Sequence, residues 1–277
     1  MNAPAELRSP ILLISFEGWN DAAESATDAL DHLLMMWDAF AIGEIDSEEF
    51  FNFQDVRPHF ITTTPGQREL LWPHTSIYGV RMPRMERDIV IIRGVEPHLK
   101  WRTFSEAIVS IAQELKVSQA VGLGALLSDN AHTRPFPVIA ASNSANFESD
   151  GLEFTLSDYE GPTGILGVVL DSLHNNNIPS ASLWVHIPHY AAGAPNPKAT
   201  LALLSRVEMF LDTPVDLADL TEEAAAWETD MDSMAADDEE LTTYVRSLEE
   251  EHGENNEGTA ESIADEFEQY LRRRNAE

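Results

Sequence analysis

ILLISFEGWNDAAESATDALDHLLMMW, residues 11–37, is the stretch on which the fold turns. Residues 11–16 are apolar on both faces, the pattern of a strand buried inside a sheet and covered on each side. Glu17-Gly18-Trp19 makes a turn, and a helix is predicted to open at Asn20 or Asp21 and to run to about residue 37. Its basis is the helical spacing of Ala22, Ala26, Leu30, Leu33, Leu34 and Trp37. Strand, turn and helix in that order form the repeating unit of α/β sheets.

Working outward, residues 40–45, 60–64 and 75–82 read as extended, and 89–92 is a second β-branched run of the buried type. The clearest helix follows Gly94-Val95-Glu96-Pro97, with Phe104, Ala107, Ile108, Ile111, Ala112 and Leu115 on one face. Further strands are predicted at 120–126, 137–141 and 181–187. Further helices are predicted after Gly161-Pro162-Thr163-Gly164, with Ile165, Leu166, Val169, Leu170 and Leu173 as the apolar stripe, and over 197–211. Strands and helices alternate, so residues 1–214 are expected to form one α/β domain around a mixed, largely parallel central sheet with helices on both sides.

Of the 277 residues, 48 are acidic and 17 basic, a net charge of −31. A phosphate-backbone binder working through clustered Lys and Arg is thereby excluded. The chain has no cysteine, which removes disulfides, thiolate metal sites and cysteine nucleophiles. No run reaches the roughly 20 apolar residues of a membrane span, and the first residues lack a signal-peptide pattern, so a cytoplasmic protein is expected. The charge is uneven. Residues 215–277 hold 21 acidic and 4 basic side chains, a net of −17, with no proline, and read as an acidic helical extension. Within it Ala224, Trp227, Met231, Met234, Asp238, Leu241, Val245 and Leu248 follow at alternating steps of three and four, on a single seam of one helix that Asp238 interrupts. The seam residues Trp227, Met231, Met234, Leu241, Val245 and Leu248 are candidates for packing on the body, on a sister subunit or on another protein. An acidic linker over 252–258 and a short helix with Ile263, Phe267, Tyr270 and Leu271, ending in Arg272-Arg273-Arg274, complete the chain.

Chemistry is harder to locate. Gly18, Trp19 and Asn20 precede a predicted helix and offer free backbone N–H groups to an anion, but the same residues make an ordinary helix start. Gly161 and Gly164 form a loose glycine turn in which Pro162 lacks an amide donor, so a rigid helix entry explains it better than a phosphate cradle. There is no GxGxxG after the first strand, no GxxxxGK[ST] and no GxSxG. His186 and His189, three apart on an extended segment, do not share a face, and no metal site or cofactor is expected. Glu96 is the first carboxylate to consider as a general base, against the plainer role of receiving backbone N–H groups. His132 and Arg134 stand on a loop beyond a strand, where they could bind an anion or move a proton.

Taken together, FEGWNDAAESA (16–26), IDSEEFFNF with Arg57-Pro58, Gly94 with EPHLKW (96–101), AVGLGALLSD and HTRP (120–135), YEGPTGILGVV (159–169), SLWVHIPHY (182–190) and PNPKATLALL (195–204) resemble the family named after proteasome assembly chaperone two, in its actinobacterial form. The resemblance implies a three-layer α/β/α sandwich similar to the nucleoside phosphorylase/hydrolase fold. It also implies a non-enzymatic assembly chaperone or scaffold for the proteasome, in homo-oligomers for which a trimer is expected. Proteasome-binding members end in a hydrophobic residue, a tyrosine and any residue; this sequence instead ends Arg274-Asn275-Ala276-Glu277, with Tyr270 preceded by Gln269. The alternative is a small-molecule binder or enzyme of phosphorylase/hydrolase type, with Asp21, Glu96, His132, Arg134 and His189 around a pocket at the strand ends.

Overall fold

The computed structural model describes residues 6–254 except 65, 145, 146, 148, 150 and 158, with backbone alone for 251–254. The predicted terminal helix and its three arginines lie outside the described residues, as does most of the predicted linker. Ten strands are described: β1 (Ile11–Glu17), β2 (Ala39–Ile45), β3 (His59–Thr64), β4 (Gln67–Leu71), β5 (Thr75–Val80), β6 (Ile89–Val95), β7 (Gln119–Ser128), β8 (Val138–Ser142), β9 (Thr155–Leu156) and β10 (Ser180–Pro188). The helices are α1 (Ser25–Met36), α2 (Trp101–Glu114), α3 (Ile165–Asn175), α4 (Pro197–Leu211), α5 (Ala218–Ala236) and α6 (Glu239–Glu254).

Eight strands form one sheet in the order β2-β5-β6-β1-β7-β10-β8-β9. Its centre, β6-β1-β7-β10, is parallel, while β2, β5 and β8 join antiparallel on either side. Alternation along β1 shows why both faces must be covered. Ile11 and Leu13 enter a core with α1, α4 and α5, whereas Leu12, Ile14 and Phe16 enter a second core with α2 and α3. All but Ile11 of these are fully buried, each contributing roughly 1.5–3 kcal/mol of transfer free energy. The result is three layers, helices on each side of a mixed sheet, as the alternating pattern requires. No described helix is long and apolar enough to cross a membrane.

Packing continues past Pro214. Val215, Leu217 and Leu220 are buried in the same core as α1 and α4, and Trp227 lies edge-on to Phe136. The seam is carried by two helices and not by one. Asp238 ends the continuity because its carboxylate accepts from Glu240 N (2.9 Å) and Leu241 N (3.1 Å), the arrangement of a helix N-cap. Met231, Val245 and Leu248 are buried, Trp227 and Leu241 half-buried, and Met234 exposed. α6 runs on through His252 to Glu254, where a linker was expected.

Candidate functional site

The parallel strands β6, β1, β7 and β10 end on one rim, where ligand loops of open α/β sheets gather. β1 leaves the sheet at Gly18, whose φ of +121° is a conformation suited to glycine. Asn20 and Asp21 do not begin a helix. Asp21 bridges to Ala125 of β7, and Ala125 N donates to Asn20 O at 2.9 Å, so the chain stays extended for one more step. It then makes a 3-10 turn (Ala22–Glu24) with Ala23 and Glu24 at positive φ, and only Ser25 opens α1.

Asp21 still serves that helix from a distance. Its carboxylate accepts from Ala26 N (2.6 Å), Thr27 N (3.1 Å) and the Thr27 hydroxyl (2.5 Å). The side chain is 5% exposed, and burial pushes its pKa up to about 6, with the three hydrogen bonds pulling the other way. The anionic position at the start of α1 is therefore filled from within the chain.

Glu96 does the same for α3. Just past β6, its Oε1 accepts from Ile165 N, the first residue of α3, at 2.8 Å, and from Asn20 Nδ2 at 3.2 Å. Gly164 makes room for this group, because a Cβ there would lie 2.2 Å from Asn20 Nδ2. Gly18, Asn20, Glu96 and Gly164 thus converge, but on one another. Trp19 stands out into solvent and Gly161 is exposed beside Tyr159. At this rim lies an open cleft of about 360 Å³ lined by Glu17, Gly18, Val56, Val95, Glu96, Pro97, His98 and Trp101. Glu17 itself pairs with Arg93 at 2.9 Å.

The histidine loop belongs to a second cluster further along the rim. His132 is 1% exposed; its Nδ1 lies 2.8 Å from the Tyr190 hydroxyl and its Nε2 3.2 Å from Asp232 Oδ1 on α5. His132 N also donates to the Tyr190 oxygen at 2.7 Å. Burial pushes the Tyr190 phenol up to about 12, so its hydroxyl stays protonated beside His132 Nδ1. Both nitrogens are occupied, leaving none for a substrate. Lys198 of α4 donates to His132 O and to Glu228 of α5, and Thr133 donates to Glu249 of α6. His189 lies 3.9 Å from Asp129, while Arg134 is exposed. Burial lowers the pKa of His186, which lies in β10. The five residues of the enzyme reading therefore divide between the strand-end turns and this clasp, and four of them are held by partners in their own chain. Among the described residues, no group of three or more His, Asp or Glu side chains could hold a metal ion.

A sequence profile of the PAC2 family matches residues 15–235. The chain belongs to the PAC2 family. Among solved structures, a Mycobacterium tuberculosis proteasome-assembly chaperone homologue, Rv2125, is 44% identical, with a TM-score of 0.75 over 85% of this chain and 99% of that one. A PAC2 family protein from Streptomyces avermitilis is 38% identical, with a TM-score of 0.77 and the same coverage. Pyrococcus furiosus PbaB, an archaeal proteasome activator, matches at 18% identity and a TM-score of 0.65 over 84% of this chain and 96% of that one, a likeness of fold alone. No curated protein matches. The PAC2 match crosses position 214 and takes in α5 almost to its end, so the helix that supplies Asp232 and Glu228 to the clasp lies inside the family's span.

Sequence reasoning named His132 in this PAC2 chain without its partners, because Tyr190, Lys198 and Asp232 lie 58 to 100 residues away. It also missed the β3–β4 hairpin, although Pro65-Gly66 between two extended runs is a turn signal.

Proposed function

We propose that this protein is a non-enzymatic, homo-oligomeric assembly chaperone or scaffold for a protein complex, with proteasome subunits as the partner and the cytoplasm as its place of work. The observation that carries this reading is the occupation of the strand-end rim by the chain's own groups. Glu96 caps α3, Asp21 caps α1, and His132 has both ring nitrogens engaged. The 44% identical relative, named a proteasome-assembly chaperone homologue, supports the same reading. A trimer is the oligomer proposed. Within residues 215–277, treated as an extension of the 1–214 domain, Trp227, Met231, Leu241, Val245 and Leu248 are taken up by packing within the chain, and exposed Met234 is the seam residue proposed to face a partner.

The test is reconstitution with purified 20S α and β subunits from the same organism, followed by native electrophoresis. Comigration with free α subunits and faster appearance of assembled particles are expected. Absence of both, with protein shown folded by circular dichroism, would sink the chaperone reading.

A further inference from the structure

α6 is joined to the body by little. Among the described elements it packs broadly against α5 alone. Its apolar side meets the strand-end rim in a small cluster separate from both cores, where Val245 and Leu248 cover Ala131, with Leu241 and Tyr190 at the edge. Two hydrogen bonds flank that cluster. The Thr133 hydroxyl donates to Glu249, and the Tyr244 hydroxyl donates to Asp129 at 3.2 Å.

The helix is also weak in itself. Sixteen residues is close to the length at which isolated helices are marginal in water. Its last six, Glu249-Glu250-Glu251-His252-Gly253-Glu254, put four acidic residues and a glycine at the end where the helix dipole is negative. α6 therefore owes its order to the surface it sits on, and a segment held by so few contacts opens locally before the core does. The family match draws the same line. It ends at residue 235 and α6 begins at 239, whereas Asp129, Ala131, Thr133 and Tyr190 all lie inside the match. The seat is part of the PAC2 body, and its cover is an addition to it.

α6 lies on this seat as a ligand would. Leu241, Val245 and Leu248 stand at i, i+4 and i+7, the spacing with which an amphipathic helix enters a groove on another protein. The seat does not need α6 for its shape. His132 is fixed by Tyr190 and by Asp232 of α5, and Lys198 ties His132 O to Glu228 of α5, so the loop keeps its bonds when α6 leaves.

We infer that Asp129, Ala131, Thr133 and Tyr190 form a docking site for an amphipathic helix of a partner protein, and that α6 fills it in the isolated chain until such a helix takes its place. The partner helix has the chemistry of α6: apolar residues at i, i+4 and i+7, a hydroxyl at i+3 that donates to Asp129, and a carboxylate at i+8 that accepts from Thr133. Arg134, exposed beside Thr133, favours the same acidic character. The site rests on the partner-binding role proposed above and names the partner's segment whichever complex is served.

Hydrogen exchange on the full wild-type chain is the first test. Amides of α6 are expected to exchange by local opening, ahead of those of α4 and α5, and protection of α6 equal to that of α4 overturns the plug. The second test uses full-length V245D/L248D, whose α6 cannot re-enter the seat, and a labelled synthetic peptide of residues 238–254. The body of the variant is expected to keep its Tm. The peptide is expected to bind the variant about tenfold more tightly than wild type, or better, the factor set by an α6 seated roughly nine-tenths of the time or more. A peptide carrying both aspartates is expected not to bind. Collapse of the body in V245D/L248D, equal binding to both proteins, or no binding to the variant at about 1 mM peptide overturns the docking site. Loss of self-association in V245D/L248D would put a neighbour's α6 in the seat and overturn the plug within one chain. None of these readouts uses 20S subunits, so each can fail while the chaperone reading stands.

Discussion

Asp21 is a carboxylate that the folded protein holds against its own solvation, and its substitution gives a pH signature with a definite sign. Its pKa rises from 3.8 to about 6 on folding. The folded state therefore binds the proton more tightly than the unfolded chain, and stability from this group is fully present below about 3.8 and lost as pH rises through 6. In D21N the amide oxygen can still accept from Ala26 N, but Thr27 N loses a carboxylate oxygen, a cost of about 1–3 kcal/mol that does not vary with pH. Comparing the two proteins across pH isolates the titration. Between pH 8 and pH 5, two-state linkage with these pKa values gives wild type a gain of about 1.4 kcal/mol relative to D21N. The range stays above the pI of 4.4, where solubility would fail. Urea unfolding at half-unit steps reads the difference directly. Parallel stability curves, or a difference that grows toward pH 8, would refute the assignment of a proton-binding Asp21 at the start of α1.

Three other perturbations test the packing. E96A removes the acceptor for Ile165 N and Asn20 Nδ2 and should cost about 1–2 kcal/mol in urea unfolding, with self-association unchanged. G124A places a methyl 2.4 Å from the Trp184 ring on the neighbouring strand and should cost about 1–3 kcal/mol, accompanied by a change in near-ultraviolet circular dichroism. A chain ending at Pro214 is expected to stay folded with a lowered Tm, because it loses Val215, Leu217 and Leu220 from the core beside α1 and α4. Failure to recover it in soluble form would refute the division of the chain at that point.

The layered sheet was legible in the sequence because burial on both faces leaves continuous apolar runs, and residues 11–16 and 89–92 are such runs. Helical spacing likewise marked α2, α3 and α4 close to their observed limits. The start of α1 was misjudged by a turn. Local capping preference placed it at Asn20 or Asp21, and the bridge from Asp21 to Ala125, a contact across 104 residues, overrode that preference. The break between α5 and α6 had a local signal in Asp238, since a short carboxylate facing two free amides is a cap wherever the seam can end.

By itself, then, the sequence determined a three-layer α/β body and an acidic helical end, because periodicity and charge are properties of neighbouring residues. Only the tertiary structure decided that Glu96 faces Ile165 and Asn20, that His132 is clasped between Tyr190 and Asp232, and that the hairpin stands free. Those outcomes depend on which side chains the sheet order brings within about 3 Å of one another. A hydrogen bond is satisfied by geometry, and no spacing along the chain records it.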